Sequence, residues 1–387
     1  MGHLIEEYAK NLGVKIGKPI FEPHFIPIID DKYITIHVDN KINSKYYEFF
    51  PEVINLLKPH LSANGYKIYQ IGGESDPLLI GVDKSYLGLS RKQSAYIIKN
   101  SSLHLGIDSF PIHLASTFDI PIVALYAHIY PQNAYPYWSN PQKVKILEAD
   151  RKGLKPCFTY DEKPKSINTI KPEHVVKAVL DLLNLFYTKS INTLYIGDEY
   201  SKPVVEIVPN FFSQSSELNE RVINIRMDYH FDEQNLFNWS SLYKVHIICD
   251  KPINVEILKK NKNNIVNTTV YINDTKTFSE EYLNNLKNTG VPLQFFSKNH
   301  DDIRKIRIAY FDHQISLEDK IDEIKVNELK NIPNLKFLTK KDIFSNGKRY
   351  ASKAHLDSDQ VFLDKSTDVI YNEQFWKDIE HYFIYEP

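Results

Sequence analysis

NSSLHLGIDSFPIHLASTFDIPIVALYA, residues 100–127, is the stretch that decides the fold. Leu103, Leu105 and Ile107 make a short apolar strand that breaks at Asp108-Ser109. Residues 111–118 follow with helical spacing, and 120–126 form a continuous apolar run. Strand, turn, helix, strand is the order of a parallel α/β unit. In such a unit the loop after a strand meets a helix N-terminus, whose free N–H groups and dipole favour an anionic ligand. Asp108, Ser109 and His113 stand at that corner.

Upstream, residues 4–12 read as a short helix ended by Gly13, and Pro19, Pro23 and Pro27 space an extended connector. Residues 33–38 (YITIHV) and 67–71 (KIYQI) are strands, the second running into Gly72-Gly73; 47–64 and 91–99 are helical. Downstream come a strand at 144–147, a loop-like stretch at 155–168 and a closing helix at 172–186 with an apolar face of Val175, Val176, Val179, Leu182 and Leu183. A second alternating series has strands at 193–196, 204–208, 222–227, 245–249, 269–272 and 293–296, with helices at 233–242, 255–260 and 279–288. Residues 304–312 fit either element, and a final aromatic helix is expected at 372–382. This alternation predicts an α/β chain of two Rossmann-like doubly wound domains facing a cleft. The expected parts are a linker helix and connector (1–29), a first domain (30–190) and a second α/β domain (191–387).

A chain of 387 residues exceeds one ordinary core, which agrees with two domains. The formal charge of −2 gives no electrostatic footprint for nucleic acid, and the lysine runs at 259–262 and 340–341 read as solvated surface. Two cysteines far apart, Cys157 and Cys249, exclude a disulfide framework and suit a reducing compartment. The charged, amphipathic N-terminus is unlike a signal peptide, and no apolar run reaches membrane-spanning length, so a cytoplasmic protein without an integral membrane segment is expected. G-x-G-x-x-G, a Walker lysine loop, H-E-x-x-H and G-x-S-x-G are all missing, which argues against dehydrogenase, P-loop, metallohydrolase and serine-hydrolase readings.

Asp108-Ser109-Phe110-Pro111-Ile112-His113-Leu114-Ala115, followed by Asp119-Ile120-Pro121-Ile122-Val123-Ala124-Leu125-Tyr126, resembles a family signature, D-[ST]-G-P-x-H-L-A…G-[VI]-P-V-V-A-L-F. It belongs to the bacterial heptosyltransferases of lipopolysaccharide synthesis, glycosyltransferase family nine. Flanking pieces agree in order: residues 4–27 resemble the family's interdomain linker, and Ile36-His37 the strand before its first glycine-containing loop. Ser44-Lys45 resembles its phosphate-contacting lysine motif, Ile71-Gly72-Gly73-Glu74 its G-G-x-x-[DE] turn, and Lys155-Pro156-Cys157 its later cysteine segment. The resemblance covers about residues 4–186.

What it implies is the donor domain of a GT-B fold, binding a nucleotide-diphosphate sugar as co-substrate with no further cofactor and no metal. The implied donor-binding set is Ser44, Lys45, Gly73, Glu74, Asp108, Ser109, Phe110 and His113, with Lys45 and the Asp108-Ser109 turn facing the diphosphate and Glu74 near the nucleoside. A lysine and a helix N-terminus stabilise a leaving diphosphate electrostatically. The implied reaction moves the sugar to a hydroxyl of a glycan, a lipopolysaccharide-like acceptor or a modified nucleobase. A helix N-cap is the alternative reading of Asp108.

The sequence also departs from the pattern. The family's glycine in the opening motif is Phe110, and the Pro-Gly after His37 is Val38-Asp39. Small residues let a backbone approach phosphate, so these changes favour a second reading: a non-catalytic, degenerate module binding a glycan, a nucleotide or a protein partner. The family places its acceptor domain before the linker helix, whereas here an α/β domain follows the donor half, so a GT-B-like pair in permuted order is expected. The general base should come from that acceptor side, with Asp198, Asp228 and His230 as candidates at strand carboxyl ends and turn or capping roles as their alternative.

Overall fold

In chain order the first half contains α1 (Leu4–Leu12), β1 (Tyr33–His37), α2 (Phe50–Ala63), β2 (Lys67–Gly72), β3 (Lys84–Leu87), α3 (Arg91–Lys99), β4 (Leu103–Ile107), α4 (Phe110–Thr117), β5 (Ile122–Tyr126), α5 (Pro131–Ala134), β6 (Val144–Glu148) and α6 (Pro172–Leu182). Its six strands lie in the order β3-β2-β1-β4-β5-β6, parallel throughout. Strands wind outward from β1 to β3 on one side and from β4 to β6 on the other, so the direction of winding reverses between β1 and β4. Right-handed crossovers then place helices on both faces: α2 packs with α6, and α3 with α4.

Every position of β1, β4 and β5 is buried, as a parallel strand covered on both faces requires. Tyr33, Tyr69, Ile71, Ile122, Ala124 and Tyr126 meet Ile97, Ile98, Ile112 and Ala115 from α3 and α4 in one core cluster. Val53, Ile54, Leu57 and Leu61 of α2 and Val175, Val176 and Val179 of α6 are likewise buried. A capping box at Ser90 and Gln93 starts α3, and Gly13, at φ 65, ends α1. This computed structural model describes residues 2–38, 41–188, 190–361 and 367–387, in two compact units, Met1–Thr193 and Leu194–Pro387. Asp39, in the departure from the family's Pro-Gly, lies outside the described residues.

The second half continues with β7 (Asn192–Ile196), β8 (Val204–Ile207), β9 (Ile223–Arg226), α7 (Glu233–Leu242), β10 (Val245–Cys249), α8 (Val255–Lys260), β11 (Ile265–Tyr271), α9 (Glu280–Lys287), β12 (Leu293–Ser297), α10 (Ile303–Ala309) and β13 (Ile315–Leu317). It closes with α11 (Glu323–Lys330), β14 (Lys336–Thr339), β15 (Lys341–Ser345), β16 (Lys348–Tyr350), α12 (Lys353–Asp357), β17 (Thr367–Asp368), α13 (Glu373–Trp376) and β18 (Tyr382–Glu386). An eight-stranded sheet has the order β13-β12-β11-β10-β9-β8-β15-β16, parallel except for β16. Ile223, Ile225, Val245, Ile247 and Val270 pack against Leu236 and Trp239 of α7, Leu258 of α8, Leu283 and Leu286 of α9 and Ile306 of α10. A four-stranded sheet, β17-β14-β18-β7, has its own aromatic core of Phe337, Phe375, Trp376 and Tyr382.

Two expectations are corrected here. The helix expected at 372–382 is only α13, followed by a 3-10 turn at Ile379–His381 and then β18. The run of Tyr382, Phe383, Ile384 and Tyr385 is buried, and antiparallel pairing with β14 suits such aromatic and β-branched residues better than a helix. The Lys340-Lys341 pair is not a solvated run. Lys341 is 2% exposed, with its ammonium 3.1 Å from Glu206 and 3.2 Å from Asp378. Burial alone would lower that amine, yet Asp378 and Glu206 hold it above its ordinary value. Among the described residues no helix is long and apolar enough to cross a membrane.

Candidate functional site

Where winding reverses in an open α/β sheet, a crevice forms beyond the carboxyl ends of the two central strands, and ligands bind there. Here those strands are β1, which ends at His37, and β4, after which Asp108 and Ser109 lead into α4. Ser109 occupies the N-cap position, yet its hydroxyl caps nothing. Its Oγ lies 3.2 Å from the Ile107 carbonyl and 3.1 Å from His37 Nδ1. Asp108 is not the cap either. Lys45 Nζ stands 2.9 Å from its Oδ2 and 3.2 Å from its carbonyl oxygen, and His113 Nε2, one turn into α4, stands 3.7 Å from its Oδ1.

Burial pushes the Asp108 carboxyl up, but the hydrogen bond from His113 and the Lys45 charge outweigh it and hold the group below its ordinary value. Asp108 is therefore a carboxylate at neutral pH. Lys45 reaches it because the 3-10 turn Asn43–Lys45 is fastened to the loop carrying Thr159, Tyr160 and Asp161. The Ser44 amide donates to the Tyr160 carbonyl, its hydroxyl to the Thr159 carbonyl at 2.6 Å, and the Asn43 side chain to Asp161 at 2.9 Å. His128, just past β5, lies 3.0 Å from Ser44 Oγ and 3.7 Å from Cys157 Sγ. Burial first, and then the Lys45 charge, hold its imidazole below the ordinary range, so it is neutral.

Of the residues expected at the site, the structure brings Lys45, Asp108, Ser109 and His113 together. Ser44 is wholly buried and spends its hydroxyl on the turn that presents Lys45. The Gly73 N–H is taken by Asp76 Oδ2 at 2.7 Å, and Glu74 is exposed beside Gly88. Phe110 fills the first position of α4, 45% exposed as a residue, its ring 6.2 Å from the Phe21 ring and 5.6 Å from the Arg91 guanidinium. The acceptor-side candidates are not gathered. Asp198 lies two residues past β7 of the four-stranded sheet and its backbone N–H donates to the Glu380 carboxylate, whereas Asp228 follows β9 in the eight-stranded one. Both Asp228 oxygens accept from the Arg226 guanidinium, at 2.8 and 2.7 Å, and His230 is exposed.

Sequence reasoning missed His37 and Asp76 as site groups. The β1–β2 register sets His37 beside Ile71, and the tight turn after β2 folds Asp76 back until its Oδ2 is 3.9 Å from His37 Nε2. The available signal was the second acid in GGESD. Among the described residues no group of three His, Cys, Asp or Glu stands close enough to hold a metal ion. A cavity of about 350 Å³ lies by Thr117 and Phe118, at the opposite end of α4 from Asp108.

No protein-family model and no curated protein matches the chain. Solved structures similar to it include a family 9 glycosyltransferase from Veillonella parvula, at 21% identity and a TM-score of 0.32 over 46% of this chain and 50% of that one. The E. coli ADP-heptose lipopolysaccharide heptosyltransferase II gives 16% and 0.32 over 46% and 50%. An iron-containing dodecameric glycosyltransferase from enterotoxigenic E. coli gives 17% and 0.35 over 45% and 51%. The chain spans about half the length of these structures.

Proposed function

We propose that this chain is a glycosyltransferase that moves a sugar from a nucleotide-diphosphate sugar to a hydroxyl acceptor, without a metal and with no cofactor beyond the nucleotide sugar. The observation that carries this reading is the cluster of Lys45, Asp108 and His113 at the N-terminus of α4, at the reversal between β1 and β4. Its chemistry suits a departing diphosphate: one fixed ammonium, one imidazole and the positive end of a helix dipole. The order of motifs over residues 4–186 supports the same reading. As the acceptor oxygen forms its bond to the anomeric carbon, the bond to the diphosphate breaks and the acceptor proton passes to a base. With both Asp228 oxygens held by Arg226, Asp198 and His230 are the remaining candidates for that base.

One observation favours a second reading, a binding module without turnover: the Phe110 ring stands at the first residue of α4, where a small residue would let phosphate approach the backbone. Calorimetry and thermal shift against nucleoside diphosphates and nucleotide sugars, with and without magnesium, test both. ADP-heptose, the sugar nucleotide named for the E. coli enzyme, heads the panel. Binding without magnesium, with release of nucleoside diphosphate when hydroxyl acceptors are added, supports the transferase; binding without release supports the module. No binding anywhere in the panel overturns the transferase and leaves the module that binds a glycan or a protein partner.

A further inference from the structure

We infer that the side of β9 to β13 opposite α7–α10 is a binding surface for a neutral oligosaccharide, held there without reacting. This goes beyond both readings above: neither places a ligand on that side, and the inference stands without either. Strands β9 to β13 follow one another across the sheet with no reversal, so right-handed crossovers put α7, α8, α9 and α10 on one face. All four contribute buried side chains to one core cluster with Ile225, Ile247 and Val270. The opposite face receives no helix from these crossovers. Burial follows suit: β10 alternates buried and half-buried positions along its length, as does β12 over Phe295, Phe296 and Ser297, whereas β1, β4 and β5 of the first sheet are buried throughout. A parallel sheet normally has both faces covered, so an open one calls for an occupant.

Strand register fixes what the open face offers. Asn224, His246 and Asn267 lie level across β9, β10 and β11, while Tyr271 and Phe296 lie level across β11 and β12, nearer the carboxyl ends. Gln294, exposed, stands between these rows, level with Thr269. The side chains of Asn224, Asn267 and Gln294 make no hydrogen bond among the described residues. A carboxamide both donates and accepts, as a sugar hydroxyl does, so these three can pair with successive hydroxyls of one chain. Neighbouring strands are about 4.8 Å apart, close to the length of one sugar ring. Tyr271 is already engaged: its hydroxyl donates to Glu318 at 2.8 Å, and the Lys298 ammonium stands 4.1 Å from its ring centre. Phe296, half-buried and 6.4 Å from the Tyr271 ring, is the aromatic left to meet the C–H face of a sugar.

Charge decides between occupants. Arg226 is taken by Glu206 and Asp228, and Lys298 stands 3.9 Å from Glu318 as well as over Tyr271. His246 lies 2.8 Å from Thr269 Oγ1, and burial, with the Arg226 charge after it, holds its ring below the ordinary range and therefore neutral. The face has no surplus positive charge of the kind that a nucleic acid or an anionic lipid surface requires. A protein helix or a second copy would bury the three amides against apolar side chains, at a cost. A neutral polyhydroxyl chain meets the amides with hydrogen bonds and Phe296 with its apolar side.

The test is an array of neutral gluco-, manno-, galacto- and xylo-oligosaccharides, with heparin and polygalacturonate as acidic comparisons, probed with the full chain in the absence of nucleotide. Calorimetry with the best neutral binder follows. The wild type should be retained on at least one neutral oligomer, at a level that added salt does not change. Asn267→Ala and Gln294→Ala should each weaken that binding roughly 2–10-fold, the effect of one lost hydrogen bond, and Phe296→Ala should weaken it further. Asn267 and Gln294 bond nothing, so alanine there should leave the urea midpoint unchanged even if Phe296→Ala unfolds the unit. Three results overturn the inference: no retention on any neutral oligomer, equal binding in all three variants, or retention on acidic chains alone that salt removes. A dimer in sedimentation that Gln294→Arg dissolves also overturns it and gives the face to a second copy. None of these results bears on the nucleotide site, which the calorimetry with nucleotide sugars tests by itself.

Discussion

Replacing Lys45 by alanine perturbs affinity, stability and their pH dependence at once. Its ammonium bonds both the carboxylate and the carbonyl of Asp108, and the two side chains are 19% and 13% exposed, so solvent screens the pair little. A hydrogen bond to a charged group contributes about 1.5–3 kcal/mol, part of which Lys45 already draws from Asp108. A net loss of about 1–2 kcal/mol remains, or roughly 5–30-fold weaker diphosphate binding at about 1.4 kcal/mol per factor of ten. The variant also leaves Asp108 with His113 alone, 3.7 Å away, which should cost about 1–3 kcal/mol of stability at neutral pH. The sign with pH follows from the lowered carboxyl. Asp108 titrates lower when folded than its unfolded value of about 3.9, so the pair's contribution is fully present above about pH 4. It fades as pH falls through the folded value. Urea unfolding at pH 7 and in the acid range, with calorimetry at pH 7, reads all three quantities. A variant as stable as wild type at pH 7, binding nucleotide sugars equally well, refutes the site.

Phe110→Gly removes the ring from the first residue of α4 along with its contacts to Phe21 and Arg91. It should lower stability by about 0.5–1 kcal/mol while tightening diphosphate binding several-fold; weaker binding would mean that the ring is part of the ligand's seat. In the second unit, Arg226 binds Glu206 at 2.8 Å and Asp228 through two bonds, and Arg226→Ala takes from Asp228 its guanidinium and leaves Glu206 with Lys341. Urea unfolding should show a loss of about 3–5 kcal/mol. Gly197→Ala would set a Cβ 2.1 Å from the Glu380 carbonyl oxygen, so the backbone between β7 and β18 must shift; a loss of about 1–3 kcal/mol is expected, and an unchanged urea midpoint would contradict the packing there.

The first sheet was legible because its central strands are local apolar runs with turn residues at their ends. Strand β3 escaped because KSYL, an edge strand paired only with β2, is half exposed and carries no such run. In the second half, β8 to β12 announced themselves as short apolar and β-branched segments. β14 to β18 did not, since they are two to five residues long and, apart from the β15–β16 hairpin, held by partners far away in sequence, Lys341 with Glu206 being the sharpest case. At the site, Lys45, Asp108 and His113 stood out through the order of their motifs. His37 and Asp76 did not, because their meeting depends on β1 and β2 being neighbours in a set register, which no single segment encodes.

On the proposed reading, the charges at the crevice also limit which ligands can gain from it. Lys45 and Asp108 cancel each other, and α4 adds only about half a positive charge at its N-terminus, where Pro111 removes one of the free N–H donors. A neutral sugar or nucleoside finds no uncompensated charge to meet. A single anion can draw Lys45 away only by stranding Asp108 with His113, an exchange close to even. Two negative charges held a bond or two apart change the balance, since one can share Lys45 with Asp108 while the other meets the helix end and Ser109. The crevice therefore selects for adjacent phosphates over isolated ones.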